Sequence, residues 1–451
     1  MLAVLASFAG DLELDRIPAA VQAQASLSLL DTVACIVAGA RAPEAQQVLA
    51  AERASSVGGT TPVLTTAHRL SPEAAARVHG YWGDVFELND LTGGHASIGV
   101  IPAVLAAATK YRNTGAEVIA ATVAGIEVTS RIYASVYPTL KPYTEAGLVI
   151  PGLVNAFGAA AAVARLAKLP THTLGEAMAI AGTLTTWCPA EAIFGDGGTV
   201  KPMLFGASPA AAALQAVTYA AHGMTGPARI LESKLGLFRT LSTGAVQEFG
   251  TGSDEWHLAR PRRKLHACCG YLHAAIDAIA ELRAKVGRET LLSGRVEVRM
   301  PGYVLPAVAK PALPISANDA RFHIRYAVAL AMTGTDVIRP EHSLYYRDFL
   351  TGELLDAFDR IRIVEGTALT HYHQCEVVLH TADGASVTMT MNGPRGTPQN
   401  PLSDDEIRAK ALNLLRGSVS GGDTEGFVDR VLGVVSEGTI DWIADDLRPT
   451  A

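Results

Sequence analysis

Phe86-Glu-Leu-Asn-Asp-Leu-Thr-Gly-Gly-His-Ala-Ser97 is the stretch on which a reading of this chain turns. An amphipathic segment precedes it and an Ala-rich helix, predicted over 101–110, follows it. A polar, glycine-broken loop is therefore inserted between two core-forming elements. It carries Glu87, Asp90, Thr92 and His95. Loops held by rigid scaffolds are where catalytic groups concentrate, and carboxylate with imidazole is the usual pairing for moving a proton near neutral pH. The same residues have a plain alternative: a helix N-terminus capped by Asp90 or Thr92, with His95 on the surface.

Helical spacing dominates on both sides of this loop. Ala19, Val21, Ala25, Leu27, Leu30, Val33, Ile36 and Val37 recur at the α-helical period, and Gly39 supplies a stop, predicting a helix over 17–40. A second helix is predicted over 44–54, then a short extended piece over 63–66. Ser71-Pro72-Glu73 offers an N-cap with proline at the first helical position, starting the helix that leads into the loop. Further helices are predicted over 116–134, 155–167 and 174–184, then loop over 185–200 and an Ala-rich helix to about His222. No fixed repeat length shows, which favours one irregular helical domain over a solenoid.

The pattern changes near residue 290. Arg295-Val-Glu-Val-Arg-Met300, Cys375-Glu-Val-Val-Leu-His380 and Ala385-Ser-Val-Thr-Met-Thr-Met391 alternate in polarity, predicting three strands between 293 and 392. Helical patterns at 273–286, 321–332 and 351–360 alternate with them, so this part reads as an α+β unit. The tail is helical again over 403–416 and 426–436. It opens on Ser403-Asp-Asp-Glu406, a capping-box pattern, and is expected to pack back on the first domain. The fold class expected is thus mainly α with a smaller α+β domain. Residues 1–262 form the helical body, with 401–451 returning to it, and 263–400 form the α+β domain.

A chain of 451 residues, 49% hydrophobic and only 18% charged, can bury a core of that size. A formal charge of -7 and the lack of any long Lys/Arg run argue against nucleic acid as a partner. The short basic patch Arg260-Pro-Arg-Arg-Lys264 is the local exception. Cysteines at 35, 188, 268, 269 and 375 give neither a disulfide framework nor paired metal spacing, so no metal is expected and a reducing compartment is the natural reading. Asp11, Glu13 and Asp15 interrupt the apolar start, no signal peptide is apparent, and a cytoplasmic location is the default. Ala146–Ala164 is the one stretch considered as a membrane span. Pro151, Asn155 and the Ala/Gly content favour a packed interior helix instead, so no membrane partner is expected.

Two more stretches bear chemistry. Gly195-Asp-Gly-Gly-Thr-Val-Lys-Pro202 is a glycine-rich loop ending in Lys201 ahead of a helix, suited to a carboxylate or phosphate. Its spacing is not that of a nucleotide P-loop, and no GxGxxG follows a strand, so no nucleotide cofactor is indicated. The plain reading is a surface loop with Lys201 solvated. Arg262-Arg-Lys-Leu-His-Ala-Cys-Cys-Gly-Tyr-Leu-His273 gathers Lys264, His266, Cys269 and His273. On the plain reading His273 is a packing histidine, and Arg262 and Arg263 are solvated linker charges.

Together these stretches resemble the MmgE/PrpD family, which includes 2-methylcitrate dehydratase, cis-aconitate decarboxylase and iminodisuccinate epimerase. Leu29-Leu-Asp-Thr-Val-Ala-Cys-Ile-Val-Ala-Gly39 resembles its N-terminal helix. His79-Gly80 with Phe86-Glu-Leu-Asn-Asp90 resembles its Asn-Gly followed by Leu-Asp-Phe-Asp-Asp, and His95-Ala96-Ser97 stands at its His-Pro-Gly or His-Pro-Ser. Gly198-Thr-Val-Lys-Pro202 matches Gly-Thr-x-Lys-Pro, Ala320-Arg-Phe-His matches the Ala-Lys-Phe-Ser helix, and Asn400-Pro-Leu-Ser403 closes the small domain. The resemblance implies two domains with the active site between them, the smaller one a lid, homodimers, and no metal or organic cofactor. It places Glu87 at the family's first active-site Asp, His95 at its loop histidine and Lys201 at its substrate-facing lysine. The chain also departs from the family. Leu91 replaces a Thr that Thr92 could supply, no histidine occurs over 144–155, and Cys269 replaces the lid-segment histidine.

The chemistry so implied is a cofactor-independent lyase of the dehydratase type. It would act on a small di- or tricarboxylate, 2-methylcitrate- or aconitate-like, by proton abstraction next to a carboxylate. Lys201 and Lys264 are expected to hold substrate carboxylates, and His95, oriented by Glu87 or Asp90, to move the proton. Thr92, His266, Cys269, His273 and Tyr143 are the further candidates for substrate contact, with Tyr143 or Tyr133 as a second acid. One alternative is an epimerase of an iminodisuccinate-like aminodicarboxylate, and another is a non-catalytic carboxylate-binding relative.

Overall fold

The computed structural model describes residues 1–56, 58–185, 187–195, 198–246 and 255–448. Residues 196 and 197 of the glycine-rich loop and 449–451 of the tail lie outside the described residues.

The chain begins with α1 (Leu2–Gly10), a helix that the opening apolar run did not announce, and α2 (Ala19–Gly39). After α3 (Pro43–Ser55), residues Thr61–Pro62 (β1) and Arg69–Leu70 (β2) pair antiparallel. They flank the extended piece expected at 63–66, because only the residues beside the turn reach a partner. α4 (Pro72–Asp84) starts as its sequence dictates, with Ser71 Oγ accepting from the Ala74 amide at 3.2 Å. α5 (Ala96–Tyr111) begins five residues earlier than its periodicity suggested, at the end of the polar loop. α6 (Gly115–Val136) opens on a capping box, Thr114 with Glu117. α7 (Pro151–Leu166), α8 (Thr171–Leu184) and α9 (Ser208–Ala221) complete the body.

Small residues set how closely these helices approach. A Cβ on Gly158 of α7 would lie 2.2 Å from the Gly125 carbonyl oxygen of α6, so that crossing tolerates no side chain. The helix carrying α9 begins with a widened turn over Met203–Ala207, and Gly206 in it packs on Gly80 of α4, where a Cβ would meet the Gly206 carbonyl carbon at 2.5 Å.

The smaller unit is built on α10 (His273–Val286), α11 (Ile324–Thr333) and α12 (Gly352–Asp359) against four strands rather than three. These are β3 (Arg295–Met300), β4 (Ile361–Glu365), β5 (Cys375–His380) and β6 (Ser386–Met391), in the order β4-β3-β5-β6. β3 and β4 run parallel, and the other pairs are antiparallel. β4 escapes sequence reading because it is a five-residue edge strand on which only Ile361 is fully buried, so its alternation is weak.

The tail helices α13 (Asp404–Leu415) and α14 (Thr424–Leu432) pack on α2. Lys410 of α13 donates to the main-chain oxygens of Leu88 and Lys264 and lies 2.8 Å from Asp31 on α2. One buried ammonium thereby joins the polar loop, the basic segment and the body.

α2 is the one described helix long and apolar enough to cross a membrane, and most of it is buried inside the protein. The Ala146–Ala164 stretch instead contains a helix start at Pro151, and α7 is an interior helix of 16 residues.

Candidate active site

The polar loop adopts backbone that its sequence barely tolerates. Glu87 (φ 54°) and His95 (φ 69°) lie in the left-handed region beside Gly93 and Gly94. Such strain persists only where the surroundings over-determine it, and it collects at functional sites. The loop here is held from several directions. The Leu91 amide donates to the Arg262 carbonyl at 2.7 Å, and the Arg262 amide donates to Thr92 Oγ1 at 3.0 Å. Asn155 of α7 donates to the His95 carbonyl at 3.1 Å and to the Phe205 carbonyl at 2.9 Å. Ser97 donates to Asp90.

Beneath the loop lies a buried ion cluster. Lys201 Nζ contacts Asp84 Oδ2 at 2.8 Å and also Glu87 Oε1. Lys264 Nζ contacts Glu87 Oε2 at 2.6 Å and the Glu87 carbonyl at 2.9 Å. Two ammonium groups thus neutralise two carboxylates in a place shielded from water. Burial pulls Lys201 down to about 8, which leaves it charged at neutral pH. Burial also pushes Asp84 up, against the opposing effect of the Lys201 ammonium.

Asp84 leads to the imidazole. Asn89 donates Nδ2 to Asp84 Oδ1 and offers Oδ1 to His95 Nδ1 at 2.9 Å. A carboxylate oxygen accepts and does not donate, so the amide must present its NH2 to Asp84 and its oxygen to the imidazole. Nδ1 therefore carries the proton, and Nε2 keeps a bare lone pair. Burial, then the Lys264 and Arg262 cations, hold His95 well below its ordinary value, so it is neutral near pH 7. The Phe205 ring packs on the imidazole at 5.0 Å between centroids, and Lys201 Nζ lies 4.6 Å from the same ring.

His95 lines a cavity of about 520 Å3. Its walls come from the helical body, with Glu87, Tyr133, Tyr137, Tyr143, Phe194 and Phe205, and from the second half of the chain, with Arg262, Cys269, Tyr271, Tyr303, Phe322 and Tyr372. The volume falls in the range of about 300–1,000 Å3 typical of small-molecule sites. Burial pushes the Tyr143 phenol up to about 12, and burial likewise raises Tyr133 and the Cys269 thiol, so all three are proton donors. Among the described residues no group of three or more His, Cys, Asp or Glu is placed to hold a metal ion.

Comparison with known proteins now adds identity. Residues 3–249 match the MmgE/PrpD N-terminal domain and residues 266–432 the MmgE/PrpD C-terminal domain. The chain belongs to the MmgE/PrpD family. Its relatives include a cis-aconitate decarboxylase of Aspergillus terreus (strain NIH 2624 / FGSC A1156), 26% identical over 93% of this chain and 89% of the relative. A second Aspergillus terreus cis-aconitate decarboxylase is 25% identical over 92% of this chain and 88% of its own length. A cis-aconitate decarboxylase-like protein of Aspergillus oryzae is 25% identical over 91% and 90%. The two relatives named as decarboxylases are lyases, and the chain shares the two-domain MmgE/PrpD architecture.

Of the residues singled out from sequence, the structure brings Glu87, His95, Tyr143, Tyr133 and Cys269 to the cavity wall. Several others have different employment in this MmgE/PrpD chain. Lys201 and Lys264 were expected to hold substrate carboxylates, but each faces Glu87, and Lys201 also faces Asp84, because two buried carboxylates demand two cations. Glu87 and Asp90 were expected to orient His95. Asn89 does so instead, since Glu87 is held between the lysines and Asp90 accepts from Ser97. Thr92 is not on the cavity wall: its hydroxyl is taken up by the Arg262 main chain. His266 sits between Asp277 at 3.1 Å and the Ile338 amide, and the buried His273 packs edge-on against it, so neither histidine reaches the cavity.

Arg262, which the sequence presented as a solvated linker charge, lines the cavity. Its Nη2 donates to His373 Nε2 at 2.7 Å, and its buried Nε has no partner. Burial and the Arg262 cation hold His373 at about 3, which keeps that ring an acceptor. The one hint in the sequence was its place in a basic segment. Nothing local separated it from Arg260 or Arg263.

Proposed function

We propose that this protein is a cofactor-independent lyase that removes a proton from the carbon beside a carboxylate, and that His95 is the base. The observation carrying this reading is the Asp84–Asn89–His95 chain, which fixes the proton on Nδ1 and leaves Nε2 bare on a neutral imidazole that lines the cavity. Removing such a proton leaves an enediolate, whose charge needs a cation nearby. Arg262, on the wall of the same cavity, supplies it. Expulsion of a hydroxide from the adjacent carbon needs an acid, and Tyr143, a phenol held in its neutral form, is suited to that step.

The relatives named as decarboxylases support a lyase. The geometry favours dehydration over decarboxylation: loss of carbon dioxide leaves a carbanion that must receive a proton, whereas Nε2 is set up to take one. The two phenols, Tyr133 and Tyr143, that line the same cavity as His95 also support a second reading, epimerisation of an aminodicarboxylate, in which one group removes the proton and another returns it.

The test is incubation with hydroxy di- and tricarboxylates in deuterium oxide, following ultraviolet absorbance and proton exchange. A rise in absorbance reports a new conjugated double bond, and exchange without that rise reports epimerisation. His95→Gln is expected to lower either rate about 10²- to 10⁴-fold with an unchanged melting temperature. Full activity in His95→Gln would remove the assignment.

A further inference from the structure

Arg262 is the cavity's one arginine, and among the described residues no carboxylate lies within salt-bridge distance of it. Lys201 and Lys264 are neutralised by Asp84 and Glu87, which leaves Arg262 and Lys141 as the cations of the cavity lining available to a ligand. Lys141 is partly exposed and already donates to the Thr240 carbonyl at 2.9 Å. A buried carboxylate without a cation or donors is strongly disfavoured. The cavity therefore offers a cation to one carboxylate at Arg262 and to a second at Lys141, and a third would meet only neutral donors such as the Tyr143 hydroxyl.

An aromatic part of the wall is continuous with Arg262. The guanidinium lies 5.1 Å from the Tyr372 ring, Tyr372 lies 5.2 Å from Tyr271, and Tyr271 stacks at 6.0 Å on Phe194. Phe194 also meets Tyr143 at 4.7 Å and Phe322 at 6.0 Å. Such a surface carries no formal charge and suits an aryl or bulky alkyl group.

We infer that the substrate is a mono- or dicarboxylic acid bearing an aryl or bulky alkyl substituent, with one carboxylate on the Arg262 guanidinium and the substituent on the wall centred at Phe194. This rests on the proton-transfer reading above and narrows it. Arg262 donates in a fork that suits a carboxylate, and its neutral neighbour His373 fixes the direction of that fork.

Isothermal titration of the full chain with benzylsuccinate, succinate and citrate tests it. Benzylsuccinate is expected to bind at least about tenfold tighter than succinate through burial of the ring, and citrate no tighter than succinate. Arg262→Gln is expected to weaken benzylsuccinate about 10- to 100-fold, the loss of a charge-assisted hydrogen bond. Arg262→Lys keeps the charge without the fork and falls between, which preserves the test if the glutamine variant does not fold. Phe194→Ala is expected to abolish most of the preference for the benzyl group while leaving succinate unchanged. Citrate binding tightest, or an unchanged affinity in folded Arg262→Gln, overturns the inference. Proton exchange separates it from the broader reading. Benzylsuccinate that binds as expected while no acid tested exchanges a proton through His95 retains the binding preference and removes the function. Exchange on citrate without preference for the benzyl acid does the reverse.

Discussion

Lys201→Met separates two roles for one residue. In the structure Lys201 is 1% exposed and meets the carboxylates of Asp84 and Glu87, while Lys264 meets Glu87 alone. The four groups sum to zero charge, and the methionine variant leaves an extra buried negative charge where no water can solvate it. Breaking a buried pair from one side costs about 3–5 kcal/mol. At roughly 2–4 °C per kcal/mol for a domain of 150–250 residues, the melting temperature should fall by about 6–20 °C. Adding Asp84→Asn restores neutrality, so the double variant should melt well above the sum of the two single losses, a coupling of at least about 1 kcal/mol. Calorimetry supplies the melting temperatures, and initial rates supply KM. A Lys201→Met protein that melts within about 2 °C of the parent and differs only by a raised KM would refute the reasoning, because a substrate-facing lysine behaves that way.

The acid side of the rate profile tests the state of His95. Burial and two nearby cations hold its pKa well below 6.5, and catalysis needs the unprotonated ring, so kcat/KM should stay level as pH falls through 6.5 and decline only at more acid pH; a decline centred at or above 6.5 contradicts this. Asn89→Leu removes the group that fixes the tautomer without touching the cavity. Turnover should drop by about 10²- to 10⁴-fold, with KM little changed and the ring nitrogen resonances reporting a proton on Nε2. Gly80→Ala drives a Cβ to 2.5 Å from the Gly206 carbonyl carbon and should cost about 1–3 kcal/mol by overpacking, read as a lowered melting temperature.

Local chemistry accounts for what could be read without coordinates. The capping box at Thr114 and Glu117 was not needed to place α6, whose period showed, and Ser403-Asp-Asp-Glu406 placed α13 to within a residue. His273–Val286 forms as its pattern predicts. The amphipathic periods, the alternating strands after residue 290 and the motif set that identified the family are all properties of neighbours along the chain. Edge strand β4 was invisible because one buried residue in five carries almost no period.

The sequence by itself determined a helical body, a smaller α+β unit and the MmgE/PrpD likeness, and it singled out the loop with His95. Tertiary structure alone decided what each polar group does. Lys201 meets a carboxylate 117 residues away and Lys264 one 177 residues away, and these meetings make both lysines counter-ions to buried carboxylates. They also leave Arg262 and Lys141 as the cations that line the cavity. The physical reason is that charge is compensated in space and not along the chain. Which cation a ligand can use depends on which carboxylates the fold has already buried beside the others, and no local pattern records that.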